Sequence, residues 1–378
     1  MSNRSYDTKL KNHLWNVSGG MCEFEGCRTM LSREKISRQI CNLSQIAHIV
    51  ADSPNGPRGN ENSEALSKDS DNLMMLCSYH HKLIDDNPNE YTVKRLLDMK
   101  RTHEQKVQNA LYSTKYPETE IVLFESPIKG IIEATVNYDS AVEAVLDNGY
   151  CASTASSGIP INIPKYGLYR DQQYWELANQ DIEYYFRHDI QSFYRKNPDV
   201  PLSVFPLAPI PMIIKLGFLL GDKKVINIFQ KFREPDTWQW LSKDKTNQFF
   251  YERIQVSDKN KTIAIVISLS ANVDFKRVKD VLDVDIIYHI YAEKKGVYCI
   301  KSKEDLKAFW LEYQKVCEDI KYIDKVDEVS VFPAIPVSAA FEIGRRYMIG
   351  IYPVLTIYDD CEGFFKTLKI GGEKDGKK

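Results

Sequence analysis

The sequence predicts two domains of different fold class: an α+β domain that is rich in cysteine and histidine, followed by an α/β domain. Five of the seven histidines and four of the eight cysteines precede residue 104. Residues 113–120 form a polar, proline-containing junction, which is typical of a domain boundary. Beyond that junction, short apolar strands alternate with helical patterns. A chain of 378 residues is long enough for two or three domains.

The composition is that of a soluble globular protein, with 43% hydrophobic and 27% charged residues. No apolar run approaches the ~20 residues that a membrane span requires, and the amino terminus lacks the apolar core of a signal peptide. We therefore expect a cytoplasmic protein without a membrane partner. The net charge of −2 gives no general argument for binding to nucleic acid. In a reducing cytoplasm, closely spaced cysteines indicate a metal site rather than a disulfide.

Residues 1–112 are predicted to form the first domain. Its expected elements are a helix within 5–17, a tight turn at Gly26, a strand within 40–50, a long loop without periodic order over 51–70, a strand over 72–76, a helix that begins near His80, and an amphipathic helix capped by Thr92 that reaches Val107. Loops as long as this one are usually functional.

Four residues in this domain have the spacing of a structural zinc site. Cys22 and Cys27 form one pair, and Cys77 and His80 form the other. Thiolate and imidazole ligands suit the borderline softness of Zn²⁺, and four of them complete a tetrahedral structural site. The alternative is that Cys22 and Cys77 are small buried residues, because free cysteines are commonly buried.

If His80 binds zinc, His81 is available for a second site. His48 ends the preceding strand and is its expected partner, with His48 as general base and His81 as ligand of a catalytic Mg²⁺ or Mn²⁺ that clamps a phosphate. Asn72 is expected to hold the His48 loop by hydrogen bonds. Asp71 or His103 would complete the metal shell.

The order of these residues resembles the HNH family of nucleases. The motifs that carry the resemblance are Ala47-His48-Ile49, Asp71-Asn72-Leu73 and the stretch 76–85, with Cys22 and Cys27 upstream. The resemblance covers about residues 10–108. It implies a ββα-metal fold and a DNA endonuclease acting on double-stranded DNA.

The sequence departs from the common HNH pattern at two positions. Many members have cysteine where His80 stands here, and many have aspartate or histidine immediately before the base, where Ala47 stands.

The second domain is predicted over 121–362, with a charged tail over 363–378. Strands are expected at 121–124, 202–205, 225–229, 262–269, 284–290, 328–331 and 354–357, and helices at 138–147, 172–194, 303–320 and 337–347. The proline-rich stretch 206–211 is expected to open a further helical run that extends to Leu220. This alternation favours parallel α/β units. No glycine-rich phosphate fingerprint is present, which argues against an ordinary nucleotide-cofactor site.

This second domain resembles SAVED domains. The resemblance is carried by residues 205–211, 232–240 and 336–345 and extends over about 120–360. It implies two fused Rossmann-like (CARF-like) halves that bind a cyclic oligonucleotide. HNH followed by SAVED is similar to the DNA-degrading effectors of bacterial cyclic-oligonucleotide (CBASS) antiphage systems. By that resemblance, a cyclic di- or trinucleotide drives a monomer or dimer into a higher homo-oligomer, expected to be a tetramer, and activates the nuclease.

Residues of the types that bind such a ligand occur at several places in this domain. Phosphates require cations or helix amino termini, bases require flat side chains, and open α/β sheets bind ligands at the carboxyl ends of their strands. The candidates are Lys231, Arg233, Trp238, Ser268, Ser270, Ser338 and Arg345. Each also has an ordinary structural explanation, since a tryptophan is usually core and an arginine usually lies on a solvated helix face.

Two other functions are compatible with the sequence. The first is a zinc-stabilised DNA-binding regulator with a ligand sensor and no nuclease activity, which leaves His48 and His81 unexplained. The second is a constitutive restriction-type nuclease whose second domain recognises modified DNA.

Overall fold

The computed structural model describes residues 6–27, 29–34, 39–111, 116–129, 132–153, 158–259 and 261–372. The chain divides into two compact units, Met1–Tyr116 and Pro117–Lys378. The division falls inside the junction at 113–120, of which residues 113–115 lie outside the described part. No described helix is both long and apolar enough to cross a membrane.

The amino-terminal unit has a two-stranded sheet flanked by helices. Its elements are α1 (Thr8–Val17), β1 (Ser44–His48), α2 (Ser63–Leu66), a 3₁₀ turn (Ser70–Asn72), β2 (Leu73–Cys77), α3 (Ser78–Asp86) and α4 (Val93–Leu111). β1 and β2 are antiparallel, with Ser44 opposite Cys77 and His48 opposite Leu73. The five residues of β2 are all buried, because this strand lies at the centre of the core of the unit.

Most of the predicted elements of this unit are confirmed within a few residues. The predicted cap of α4 is present, since the Arg95 amide donates a hydrogen bond to the Thr92 hydroxyl at 3.3 Å. The expectation of an entirely irregular loop over 51–70 is wrong, because α2 lies within it. Asn60, whose amide bonds the Ser63 hydroxyl at 2.9 Å, ties the start of that short helix to the preceding chain.

The carboxyl-terminal unit alternates strands and helices as predicted. Its strands are β3 (Glu118–Glu125), β4 (Cys151–Ala152), β5 (Ile159–Asn162), β6 (Leu202–Leu207), β7 (Ile226–Ile228), β8 (Phe249–Gln255), β9 (Ile263–Ser268), β10 (Ile286–Ala292), β11 (Glu328–Ala334), β12 (Val354–Asp360) and β13 (Phe364–Ile370). Its helices are α5 (Tyr138–Asp147), α6 (Gln172–Tyr185), α7 (Gln191–Lys196), α8 (Ile210–Leu220), α9 (Phe275–Lys279), α10 (Lys303–Asp319) and α11 (Val337–Arg345).

These strands form two sheets within the described residues. The first has the order β4-β3-β6-β7, with β5 also paired to β3, and its pairings are parallel. The second has the order β13-β12-β11-β9-β10-β8. Its inner pairings are parallel, whereas both edge strands are antiparallel. The predicted tail at 363–378 is therefore wrong in its first part, because β13 occupies 364–370.

The two halves of this unit share a sequence repeat that the fold places in equivalent positions. Ser203-Val204-Phe205-Pro206 lies in β6 and Ser330-Val331-Phe332-Pro333 lies in β11. Each strand is followed by a helix that begins directly after a proline, α8 after Pro209 and α11 after Pro336. Proline is tolerated there because the first amides of a helix need no intrahelical partner. The repeat supports two similar halves.

Helices α8 and α11 cross at a pair of glycines. Gly217 and Gly344 occupy the same place in the two copies of the repeat. A Cβ on Gly344 would overlap the backbone carbonyl oxygen of Ile214, and a Cβ on Gly217 would overlap that of Phe341. Only glycine allows this approach of two backbones.

We expect Gly344→Ala to lower the free energy of unfolding of the carboxyl-terminal unit by about 1–3 kcal/mol or more, because the added methyl group has no space and neither helix backbone can yield cheaply. Denaturant unfolding of the intact variant and of the parent chain measures this change. Leu311→Ala, at an exposed position of α10, is the control and should stay within about 0.5 kcal/mol of the parent. Equal stability of the Gly344 variant and the parent would contradict the close crossing.

Candidate functional site

The structure brings the four predicted zinc ligands together. The Sγ atoms of Cys22, Cys27 and Cys77 and a ring nitrogen of His80 all lie within 4.8 Å of one another. The Nδ1 atom of His80 is 3.2 Å from the Cys77 sulfur and 3.7 Å from the Cys22 sulfur. Two sulfurs bound to one tetrahedral zinc at ~2.3 Å lie about 3.8 Å apart. The donor set therefore fits a structural Zn²⁺.

Local backbone geometry explains why these residues converge. Gly26 has a positive φ of 74° in the turn closed by the Cys27 amide and the Phe24 carbonyl at 2.9 Å, so the chain reverses between the two cysteines. Cys77 is the amino-terminal cap residue of α3, which places His80 one helical turn beyond it. The Phe24 ring stacks on the His80 ring at 4.0 Å between centroids and fixes the imidazole plane.

Burial and hydrogen bonding have opposite effects on the pKa values of the cysteine thiols in this cluster. Burial raises the pKa of the Cys22 thiol well above its ordinary value. Burial alone would also raise the pKa of Cys27, but its hydrogen bonds with Thr29 and with the thiols of Cys22 and Cys77 lower that pKa below its ordinary value. Burial lowers the pKa of His80 and so favours the neutral imidazole that binds metals.

His48 lies at the end of β1 with its tautomer fixed by the backbone. Its Nε2 is 3.1 Å from the carbonyl oxygen of Ser67 and 3.3 Å from the Tyr6 hydroxyl. A carbonyl oxygen only accepts hydrogen bonds, so Nε2 carries the proton and Nδ1 has the lone pair. Among the described residues, Nδ1 has no hydrogen-bond partner. The neutral ring can therefore accept a proton at Nδ1.

Asn72 holds the chain that follows His48, as predicted. Its Oδ1 accepts a hydrogen bond from the Val50 amide at 2.8 Å, and its Nδ2 donates to the Val50 carbonyl at 2.9 Å and to the Leu66 carbonyl at 3.1 Å. The side chain is buried. It thus ties the end of β1 to α2 and acts on His48 through the backbone.

His81 points to a different neighbour from His80. Its Nδ1 faces the Asp85 Oδ2 at 3.6 Å, one helical turn further along α3. The other oxygen of Asp85 accepts a hydrogen bond at 2.9 Å from Arg58, whose side chain is only 3% exposed. With Nδ1 directed at a carboxylate, Nε2 is the nitrogen of His81 that can bind a metal ion.

The other two predicted ligands of the catalytic metal are not assembled with His81. Within the described part of the chain, the only group of three or more clustered donors is the Cys/His cluster above. Asp71 is exposed on the 3₁₀ turn before β2. The prediction for His103 is corrected: its Nε2 is 2.9 Å from the Ser18 carbonyl, so it joins α4 to the end of α1.

In the carboxyl-terminal unit, three of the predicted ligand contacts are buried structural residues. Trp238 is 1% exposed and meets the Phe205 ring edge-on, so it cannot stack on a base. Ser338 is buried, and its hydroxyl donates to the Gln230 side chain at 2.8 Å. Ser268 is also buried, and its Oγ lies 3.0 Å from the Nε2 of His289. These three assignments are corrected.

The remaining predicted ligand-binding side chains differ in whether they are available to a ligand. Arg345 forms a two-point ion pair with Glu342 at 2.8 and 3.0 Å and is committed within α11. Lys231 pairs with Asp236. Arg233 is exposed and Ser270 partly exposed, so these two side chains are accessible to a ligand.

Sequence reasoning missed several residues that the structure places at these sites. Arg58, Ser67 and Asp85 contact the predicted catalytic residues, and His289 contacts Ser268. The spacing of His81 and Asp85 on one helix face was a usable signal. No sequence signal indicated a role for Arg58, which lies in a long loop.

Residues 186–370 match the family model of SAVED, the SMODS-associated and fused to various effectors sensor domain. The carboxyl-terminal unit therefore contains a SAVED sensor domain. Its α/β architecture with two sheets and a repeated strand–helix unit agrees with the resemblance that the sequence suggested.

Comparison with solved structures found similarity to Cap4 SAVED/CARF-domain containing receptors. The Acinetobacter baumannii receptor with the cyclic trinucleotide 2'3'3'-cAAA is 17% identical, with 82% of this chain and 67% of that chain covered and a TM-score of 0.44. The same receptor with 3'3'3'-cAAA is 15% identical, with coverages of 83% and 68% and a TM-score of 0.42. No curated protein matched the sequence.

We expect the purified chain to hold about one zinc ion, because the four donors suit a tetrahedral site. Cys77→Ala should remove the metal and destabilise the amino-terminal unit. Cys41→Ala is the matched control, since Cys41 lies in the same unit but outside the cluster, and it should retain zinc. Elemental analysis of the intact chain measures the metal content; zinc retained by the Cys77 variant would exclude the site.

Proposed function

We propose that this protein is a metal-dependent DNA endonuclease activated by a cyclic oligonucleotide bound to its SAVED domain. The observation that carries the nuclease assignment is the state of His48: the Ser67 carbonyl fixes the Nε2–H tautomer, so Nδ1 can act as general base. The Cys/His cluster supports it, because a zinc ion bound there would brace the junction of β2 and α3 that carries His81.

The chemistry proposed is hydrolysis of a phosphodiester bond. His48 Nδ1 takes a proton from a water molecule while the water oxygen attacks phosphorus. The bond from phosphorus to the leaving sugar oxygen breaks, its electron pair stays on that oxygen, and the oxygen takes up a proton from solvent water. Nε2 of His81 would hold a Mg²⁺ or Mn²⁺ ion, which would stabilise the charge that develops on the phosphate. Asp85 orients His81, and Asn72 positions the backbone that follows His48.

The sensor assignment rests on the SAVED family match. Arg233 and Ser270 are the predicted ligand contacts that remain accessible. Gating requires the ligand to bind the active, assembled form more tightly than the resting one. We propose that a cyclic di- or trinucleotide is this ligand and that assembly of several copies brings the nuclease into its active state.

We expect His48→Ala to lower the rate of DNA cleavage by at least ~100-fold, because a positioned general base contributes 10²–10⁴-fold. Zinc content and ligand-induced assembly should be unchanged. The assay is cleavage of plasmid DNA with Mn²⁺ and activating ligand. His13→Ala, at an exposed position of α1, is the control and should cleave like the parent. Full activity of the His48 variant would refute the assignment of the base.

We expect one or more cyclic di- or trinucleotides to raise the melting temperature of the chain, since a ligand present at 100 times its Kd stabilises the folded state by about 2.7 kcal/mol. A panel that includes 2'3'3'-cAAA and 3'3'3'-cAAA, with linear trinucleotides as controls, measures this shift. No response to any cyclic member would argue against the sensor.

The same assay separates the two alternatives. Ligand binding without cleavage in Mg²⁺ or Mn²⁺ would favour a DNA-binding regulator. Cleavage that needs no ligand would favour a constitutive nuclease.

A further inference from the structure

The guanidinium of Arg58 connects a strand and a helix of the candidate catalytic site, β1 and α3. Its Nε donates to the Ile49 carbonyl at 2.8 Å, and its Nη1 donates to the Ile84 carbonyl at 2.6 Å. Its Nη2 reaches the His48 carbonyl at 3.3 Å and the Asp85 Oδ1 at 2.9 Å. One side chain thus contacts the end of β1, which carries His48, and the end of α3, which carries Asp85.

The loop is shaped to present this side chain inward. Arg58 has a positive φ of 60°, a conformation that is costly for a residue with a Cβ. It is followed by Gly59, at which a Cβ would overlap the carbonyl oxygens of Ser53 and Pro54. Backbone hydrogen bonds at 3.0 Å from Gly56 to Ser53 and at 2.9 Å from Gly59 to Gly56 close the turns.

Burying the charge of Arg58 costs hydration free energy that its hydrogen-bond partners must offset. A cation that is 97% removed from solvent loses most of its hydration. Arg58 recovers it from three carbonyl oxygens and one carboxylate, a planar set of acceptors that lysine cannot match. The carboxylate is Asp85, and its second oxygen faces His81. The chain of contacts therefore runs from Arg58 through Asp85 to His81.

We infer that Arg58 is a positioning residue that sets the general base and the metal-binding histidine in register with each other. It holds the backbone of His48 directly and orients His81 through Asp85. Arg58 touches no reacting atom. This inference rests on the proposed nuclease function, because that function defines what the two histidines do.

The test compares Arg58→Lys, Arg58→Gln and Asp85→Asn in the intact chain. Partners of metal ligands typically change metal affinity or activity 10–100-fold when substituted. We expect Arg58→Gln to lower the maximal cleavage rate and to raise the Mn²⁺ concentration at half-maximal rate, each about 10-fold or more, with zinc content unchanged. Asp85→Asn should chiefly raise the Mn²⁺ requirement, because the His48 contact remains.

Two further comparisons separate positioning from stability. Arg95→Gln, at a partly exposed arginine of the same unit, should cleave like the parent at the same Mn²⁺ concentration. Arg58→Lys keeps the positive charge but loses the planar set of guanidinium donors. It should resemble Arg58→Gln in cleavage activity, but its melting temperature should be closer to that of the parent. If Arg58→Gln loses zinc, the Mn²⁺ requirement of Asp85→Asn becomes the measurement that tests positioning.

A second readout does not depend on nuclease activity. Histidine-selective NMR of the intact chain, assigned with His48→Gln and His81→Gln, reports the ring environment of both residues. Arg58→Gln should shift both sets of signals, whereas Arg95→Gln should shift neither. Unchanged histidine signals together with parental cleavage would overturn the inference and leave the nuclease proposal standing. A parent chain that cleaves no DNA would overturn the nuclease proposal and, with it, the roles given to the two histidines. The NMR comparison would then show only whether Arg58 holds their rings in place.

Discussion

The contact between the backbones of α8 and α11 is the constraint on which the carboxyl-terminal unit depends. Each helix belongs to a different half, and a glycine in each allows the carbonyl of the other to approach. Apolar residues of both sheets consequently share one core, from Val122 in β3 to Ile370 in β13. Helices of the first half, α6 and α8, also pack on β13 of the second. The halves are therefore one folding unit.

The same repeat explains why some predicted ligand contacts are structural. Glu125 and Ser268 occupy equivalent positions, because each lies beside the residue that follows the repeated Phe-Pro: Leu207 and Ala334 respectively. In both halves this side chain accepts a hydrogen bond from a backbone amide of the following loop, that of Val136 or Val273. Ser268 thus holds a loop in place.

The sequence predicted what depends on local pattern and missed what depends on tertiary partners. The helix Tyr138–Asp147 was predicted with its bounds, because apolar periodicity and an asparagine cap define it locally. Edge strand β8 was missed, since most of its side chains are at least partly exposed. Trp238 could not be assigned to the core in advance, because its partner Phe205 is distant in sequence and is brought near only by the fold.

The two adjacent histidines acquire separate partners from the register of α3. His80 is three residues after Cys77, which places its ring beside the sulfurs of Cys77 and Cys22. His81 is four residues before Asp85, which places it beside that carboxylate. Successive side chains on a helix diverge by about 100°, so one residue cannot serve both partners. The helix cap at Cys77 sets the register, and a shift of one residue would turn both rings away from these partners by about 100°. The cysteine whose sulfur lies in the Cys/His cluster therefore also sets the direction in which His81 faces Asp85.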